Sequence, residues 1–237
     1  MADILICADS IRSADMRHAV PLAVPDPFLY AEADGKSIVF SNSMEAARLG
    51  ALGLFEVRIS EEFGIDELIA QKLPVRELRA QLAVREVSSL GTKQFSVPEG
   101  FPVWLADRLR AEGFELEVDQ DLFDDRRRSK TGAQIAGMRR AQVAAEAAMD
   151  TCRDLLRRSE ISGDQLLLDG EQLTVERVKG AMSATFTAHD TTSEDFIVAP
   201  GAQGAVGHDM APARSRRTRR SSSTSGRATT RRRSTPT

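Results

Sequence analysis

Three glycines spaced by threes, followed by a histidine and an aspartate, form the stretch of this chain best suited to chemistry. Gly201, Gly204 and Gly207 let the backbone bend closely around a neighbour, and His208 and Asp209 follow directly. Upstream, Phe196–Ala199 is an apolar run that reads as a short buried strand; Pro200 and Gly201 stop it. His208 and Asp209 are the stretch's only ionisable groups after Asp195. A single histidine is more often an ordinary surface or core residue, so it is the turn before His208 that makes it a candidate. The other reactive side chains lack such a setting. His18 and His189 have no partner at ligand spacing and read as structural. Glu194 and Asp195 read as solvated strand ends. Cys152 falls on an apolar helix face and reads as core. It lies far from Cys7, so free thiols in a reducing compartment are expected.

The elements that must position this stretch can be followed along the chain. Ile4–Ala8 reads as a first strand and Asp9–Met16 as a turn. Pro21, Pro25 and Pro27 make the next segment extended. Phe28–Ala33 and Ser37–Ser41 flank Asp34-Gly35, a hairpin signal. Ser43 is a plausible cap for a helix that Gly50 and Gly53 end. Leu54–Ile59 alternates as a strand. Ile65, Leu68, Ile69 and Leu73 have helical spacing, and a second helix runs near Val75–Leu82. Phe101–Glu112 is an amphipathic helix and Phe114–Val118 a strand. Strands alternating with helices argue for a layered α/β domain, and residues 1–120 suffice for one such core. The charged run Asp121–Lys130 reads as a solvated linker. A long helix is expected from about Lys130 to Arg158, and another over Leu173–Ala188.

Composition adds a sharp break. Residues 211–237 hold nine Arg, six Ser and six Thr, with no acidic residue and no Leu, Ile, Val or Phe. Such a segment cannot bury a core and is expected to be disordered. Removing its nine positive charges from the formal net charge of −3 leaves residues 1–210 at about −12. No run approaches the roughly 18 apolar residues of a membrane span, and no basic-then-apolar leader opens the chain. A cytoplasmic protein without a membrane partner is expected.

The stretch Ser193–Met210, together with the pattern from Arg127 through Gln142, resembles the pita-bread metallopeptidases: Xaa-Pro aminopeptidases, prolidases and creatinases. The resemblance implies a creatinase-like α/β domain over residues 1–123, the start of a pita-bread (α+β) catalytic domain over 124–210, and a tail over 211–237. It implies hydrolysis of a peptide bond after an N-terminal residue, often before proline, with a peptide as substrate. It assigns His208 to the substrate side, hydrogen-bonded to the peptide carbonyl or the oxyanion. It also implies two divalent metals of the Mn, Co or Zn type bridging a water, and association through the N-terminal domain. Family members hold the metals with two Asp, one His and two Glu, and none of these can be matched here, because no Asp, Glu or His follows Met210.

The tail therefore has two readings. One is a basic arm giving weak, sequence-independent contact with nucleic acid, on an otherwise non-enzymatic α/β binding module. The other is translation out of frame. If the true frame joins the last base of each codon to the first two of the next, Ser codons beginning TC yield Phe, Leu, Ile or Val. Thr codons then yield Asp, Asn, His or Tyr, and Gly codons can yield Trp. Ser221–Gly226 becomes three apolar residues, a possible Asp, another apolar residue and a possible Trp. After Met210 the same frame allows Gly-Ser-Gly-Pro-Ile. The family's first metal-binding Asp is expected at the end of just such an apolar strand.

Overall fold

The computed structural model describes residues 3–193 and 196–207. The chain divides into two compact units between Lys130 and Thr131. In the first, β1 (Ile4–Ala8), β2 (Phe28–Ala33), β3 (Lys36–Ser41), β4 (Glu56–Ile59), β5 (Gln94–Val97) and β6 (Glu115–Val118) form one sheet in the order β4-β3-β2-β1-β5-β6. The β1/β2 and β2/β3 pairs are antiparallel, with Ile6 opposite Tyr30 and Tyr30 opposite Val39. The other pairs are parallel. Asp34 and Gly35 make the β2–β3 turn, both at positive φ, as a tight two-residue hairpin requires.

Period-two patterning gives the sheet two buried faces. Leu5, Leu29, Ala31, Ile38, Phe40, Phe95 and Val97 pack under α3 (Ile65–Ala70), α4 (Val75–Ser88) and α5 (Val103–Ala111). Ile4, Ile6, Phe28, Tyr30 and Val39 pack on the other face against Met16, Leu49 and Phe123. These three come from α1 (Ala14–Ala19), α2 (Ser43–Gly50) and α6 (Gln120–Arg128). Each side chain fully buried in this way contributes roughly 1.5–3 kcal/mol.

Several local expectations need correction. The turn expected over Asp9–Met16 contains the start of α1, whose cap Ser13 accepts from Met16 N–H. Asn42, not Ser43, caps α2, with Oδ1 accepting from Glu45 N–H at 3.1 Å. The helix expected to end near Leu82 continues to Ser88, because Ala83, Glu86 and Val87 extend its buried face. The charged run at 121–130 is mostly helix, not linker. Asp119 caps α6, Phe123 is 1% exposed within the core, and the arginines find acids on older elements. Arg126 forks onto both carboxylate oxygens of Glu32, whose Oε1 also accepts from the Tyr30 hydroxyl at 2.7 Å. Arg127 pairs with Asp15 at 2.9 Å. Residues 120–130 thus pack with the first unit.

The second unit opens with α7 (Gly132–Arg158), started by a reciprocal cap in which Thr131 and Gln134 bond each other's backbone. Next come β7 (Glu160–Ser162), β8 (Gln165–Leu168) and β9 (Glu171–Gln172), a small antiparallel sheet, and then α8 (Val175–Ala188) with Thr174 as cap. Among the described residues no helix is long and apolar enough to cross a membrane.

Candidate functional site

The run that leads into the glycine-rich turn packs on the pairing of α7 and α8. Ala144 and Ala148, both buried, present small side chains on the inner face of α7, which lets a second helix approach closely. The Thr151 and Thr185 hydroxyls meet at 2.8 Å across the pair. Val178 and Met182 of α8 complete the contact, with Cys152, Leu155 and Leu173 at its margin. Cys152 is thus a core residue, as its position on the apolar face implies.

The chain leaves α8 through Asp190, at φ 51°, and Thr191, whose N–H and hydroxyl both donate to the Phe186 carbonyl, at 3.0 and 2.9 Å. It returns over the helices at Phe196. That ring meets Phe186 edge-on with centroids 5.7 Å apart, and Lys179 Nζ lies 6.0 Å from its centroid. Val198 joins the same cluster. Phe196 and Val198 are only partly buried and Ile197 is 48% exposed, and the expected strand is not formed: residues 196–200 carry no regular structure. The physical reason is that a strand needs a ladder partner, and none of the described residues pairs with this run. Gly201–Ala205 then form a short 3₁₀ helix, with Gly201 at φ 55°. Gln203 N–H donates to the Pro200 carbonyl at 3.2 Å and Val206 N–H to the Gln203 carbonyl at 2.9 Å. Of the three glycines only Gly201 has a positive φ, and a Cβ at Gly201 or Gly207 would meet nothing within 4 Å, so the close approach expected of them is not seen.

His208 and Asp209, which this turn delivers, lie outside the described residues, as do Glu194, Asp195 and the whole basic tail. The two remaining histidines are not brought together. His18 is in the last turn of α1, where partial burial and then Arg126, Lys130 and Arg127 push its pKa down. His189 follows the end of α8. Among the described residues no group of three or more His, Cys, Asp or Glu is placed to hold a metal ion. The donor set for a metal pair is also missing from the sequence after Met210, so the residues present do not fit a dinuclear centre.

Two features of the first unit escaped the sequence reading. Glu86 of α4 is 6% exposed, and burial pushes its carboxyl up to about 8, with the Ser60 hydroxyl opposing. Its signal was helical spacing, since it follows Leu82 and Ala83 on one face. Cys7 shares this interior; burial, then the Glu86 charge, pushes its thiol up to about 12. The second feature is a pair of open grooves. The larger, about 510 Å³, is lined by Asp3, Gln94, Ser96, Glu115 and Glu117, among others. Its lining does not include the glycine-rich turn.

No protein-family model matches the chain, and no curated protein does. Solved structures do match in fold. The chain is similar to a Xaa-Pro dipeptidase from Bacillus anthracis, with a TM-score of 0.65 and 14% identity, over 90% of this chain and 52% of that one. It is similar to an X-Pro aminopeptidase from Thermotoga maritima MSB8, with a TM-score of 0.62 and 15% identity, over 89% and 54%. A prolidase from Pyrococcus furiosus gives 0.60 and 12%, over 90% and 54%. At such identities the likeness is one of fold. The chain has the mixed α/β architecture of these pita-bread enzymes and spans about half their length.

Proposed function

We propose that this chain is the front part of a Xaa-Pro-type metallopeptidase, with residues from Thr131 onward beginning its catalytic domain and the first unit serving as its creatinase-like accessory domain. The observation that carries the reading is the seating of Phe196 and Val198 on α7 and α8, which leads the glycine-rich turn directly into Gly207-His208-Asp209 within a chain of this fold. In the intact enzyme His208 donates a hydrogen bond to the scissile carbonyl and holds the oxyanion as it forms. A donor aimed at that oxygen acts mainly in the transition state. A metal pair would supply a hydroxide at neutral pH, but no residue described here can hold it, and no step is assigned to it.

Residues 211–237 are, on this proposal, an out-of-frame translation of the segment that carries the metal ligands. Codon arithmetic supports this, because the shifted frame turns Ser221–Ser223 into an apolar strand and Thr224 into a candidate Asp. The competing basic arm would give polyanion binding that weakens steeply with salt. The test is enzymatic. The purified 237-residue chain, given Mn²⁺, Co²⁺ or Zn²⁺, is expected to leave Xaa-Pro peptides intact. A gene with one base restored after the Met210 codon is expected to give chelator-sensitive cleavage, with His208→Ala lowering kcat more than it raises KM. Chelator-sensitive cleavage by the 237-residue chain itself would overturn the proposal.

A further inference from the structure

We propose that the groove between α4 and α5 in the first unit is a binding site for a small aromatic carboxylate. The groove measures about 300 Å³ and is lined by Pro74, Arg76, Glu77, Ala80, Trp104 and Arg108. That volume sits at the lower end for small-molecule pockets, roughly 300–1,000 Å³, and suits one ring with a short acid arm.

The lining divides into an apolar wall and a set of charged groups, Arg76, Glu77 and Arg108. Ala80 is buried, and Trp104 packs partly against the core beneath while one part of its surface faces the groove. Glu77 is already committed. It accepts from Gln81 Nε2 at 2.9 Å and from Arg108 Nη1 at 3.0 Å. Arg108 is held in turn by Glu112, to which its Nε donates at 3.1 Å. Arg76 forms no ion pair with any described residue. The groove thus offers one guanidinium without an ion pair among the described residues, in the same lining as an indole. A carboxylate matches a guanidinium with two parallel hydrogen bonds, and an aromatic body gains from contact with the indole. A simple anion lacks the ring contact, and a neutral aromatic leaves Arg76 uncompensated.

Trp104 is the only tryptophan in the chain, so its emission reads the groove directly. The full chain is titrated with 3-phenylpropionate to about 10 mM, a range that captures millimolar binding. A saturable change in emission is expected. Acetate and the uncharged 3-phenylpropionamide are each expected to bind at least about ten-fold more weakly, as is Arg76→Gln toward 3-phenylpropionate, the loss of one charge-assisted pair. Arg79→Gln, one turn along α4 and outside the groove lining, is expected to bind like the parent. Absence of a saturable change overturns the proposal, as does an equal response to acetate or the amide. Undiminished binding by Arg76→Gln also overturns it. The amide comparison uses the unaltered chain, so the result stands whatever a substitution does to folding.

Discussion

Replacing Glu86 by Gln is expected to stabilise the first unit at alkaline pH and leave it nearly unchanged in acid. Glu86 projects from α4 into the interior between that helix and the sheet, and it is 6% exposed. Burial disfavours its charged form and pushes its pKa from an ordinary 4.5 to about 8. The facing groups do not reverse this. They are the Ser60 hydroxyl and the Cys7 thiol of β1, which stays protonated across this range. The folded chain holds the proton that the unfolded chain releases. The resulting stability is complete below about pH 4.5 and declines as pH rises toward about 8. At about 1.4 kcal/mol for each pH unit, the loss across that window approaches 5 kcal/mol as an upper figure. Gln cannot ionise, so the variant loses this slope. Urea unfolding followed by Trp104 emission reports on the first unit, and curves at about pH 5 and pH 8.5 bracket the window. The variant is expected to match the parent at the lower pH within about 1 kcal/mol and to exceed it by several kcal/mol at the higher. An unchanged pH slope in Glu86→Gln, or a variant weaker than the parent at pH 8.5, would refute the reasoning.

Two further outcomes follow from the same coordinates. Cys7, partly buried against the core and with its thiol pushed up to about 12, is expected to resist iodoacetamide at pH 8 until the chain is denatured, because the thiolate is the reactive form; peptide mass mapping checks it. Phe186→Ala removes the edge-on partner of Phe196 and is expected to cost the second unit about 1–3 kcal/mol, read as faster amide exchange over residues 196–207 than in the parent.

Legibility tracked how local the deciding physics is. The first hairpin was readable because Asp34 and Gly35 settle their own turn. The Asp169-Gly170 pair between β8 and β9 carries the same signal, both at positive φ, and went unread because the flanking strands are only four and two residues long. The segment 121–130 reads as solvent-facing by charge. Its helix is secured by Glu32 and Asp15, far away in sequence, so no local pattern announces it. At the candidate site, the anchoring of Phe196 and Val198 followed from their hydrophobicity, whereas strand pairing depends on a neighbour that the described residues do not supply. Glu86 shows the converse problem: polarity argues for the surface, and only the helical period argues for the interior.

The two units also differ in how much they bury, and that difference bears on the proposed function. The first has a filled core on both faces of its sheet. The second centres on Ala148, Val178 and Met182. Meanwhile α7 leaves Ile135, Met138, Val143, Met149 and Leu156 exposed, Met149 at 66%. All but Val143 lie within one narrow sector of the helix, since Met138, Met149 and Leu156 are separated by about whole turns. An apolar stripe beside an already buried face is surface that a further packed element would cover. Left in solvent, each exposed side chain forgoes most of the roughly 1.5–3 kcal/mol that burial would contribute. The second unit is therefore expected to unfold at lower urea than the first. Ellipticity at 222 nm, to which the long helices α7 and α8 contribute heavily, should fall before Trp104 emission changes. Coincident transitions by the two probes would mean that the second unit is not the weaker one, and that the exposed stripe does not cost it stability.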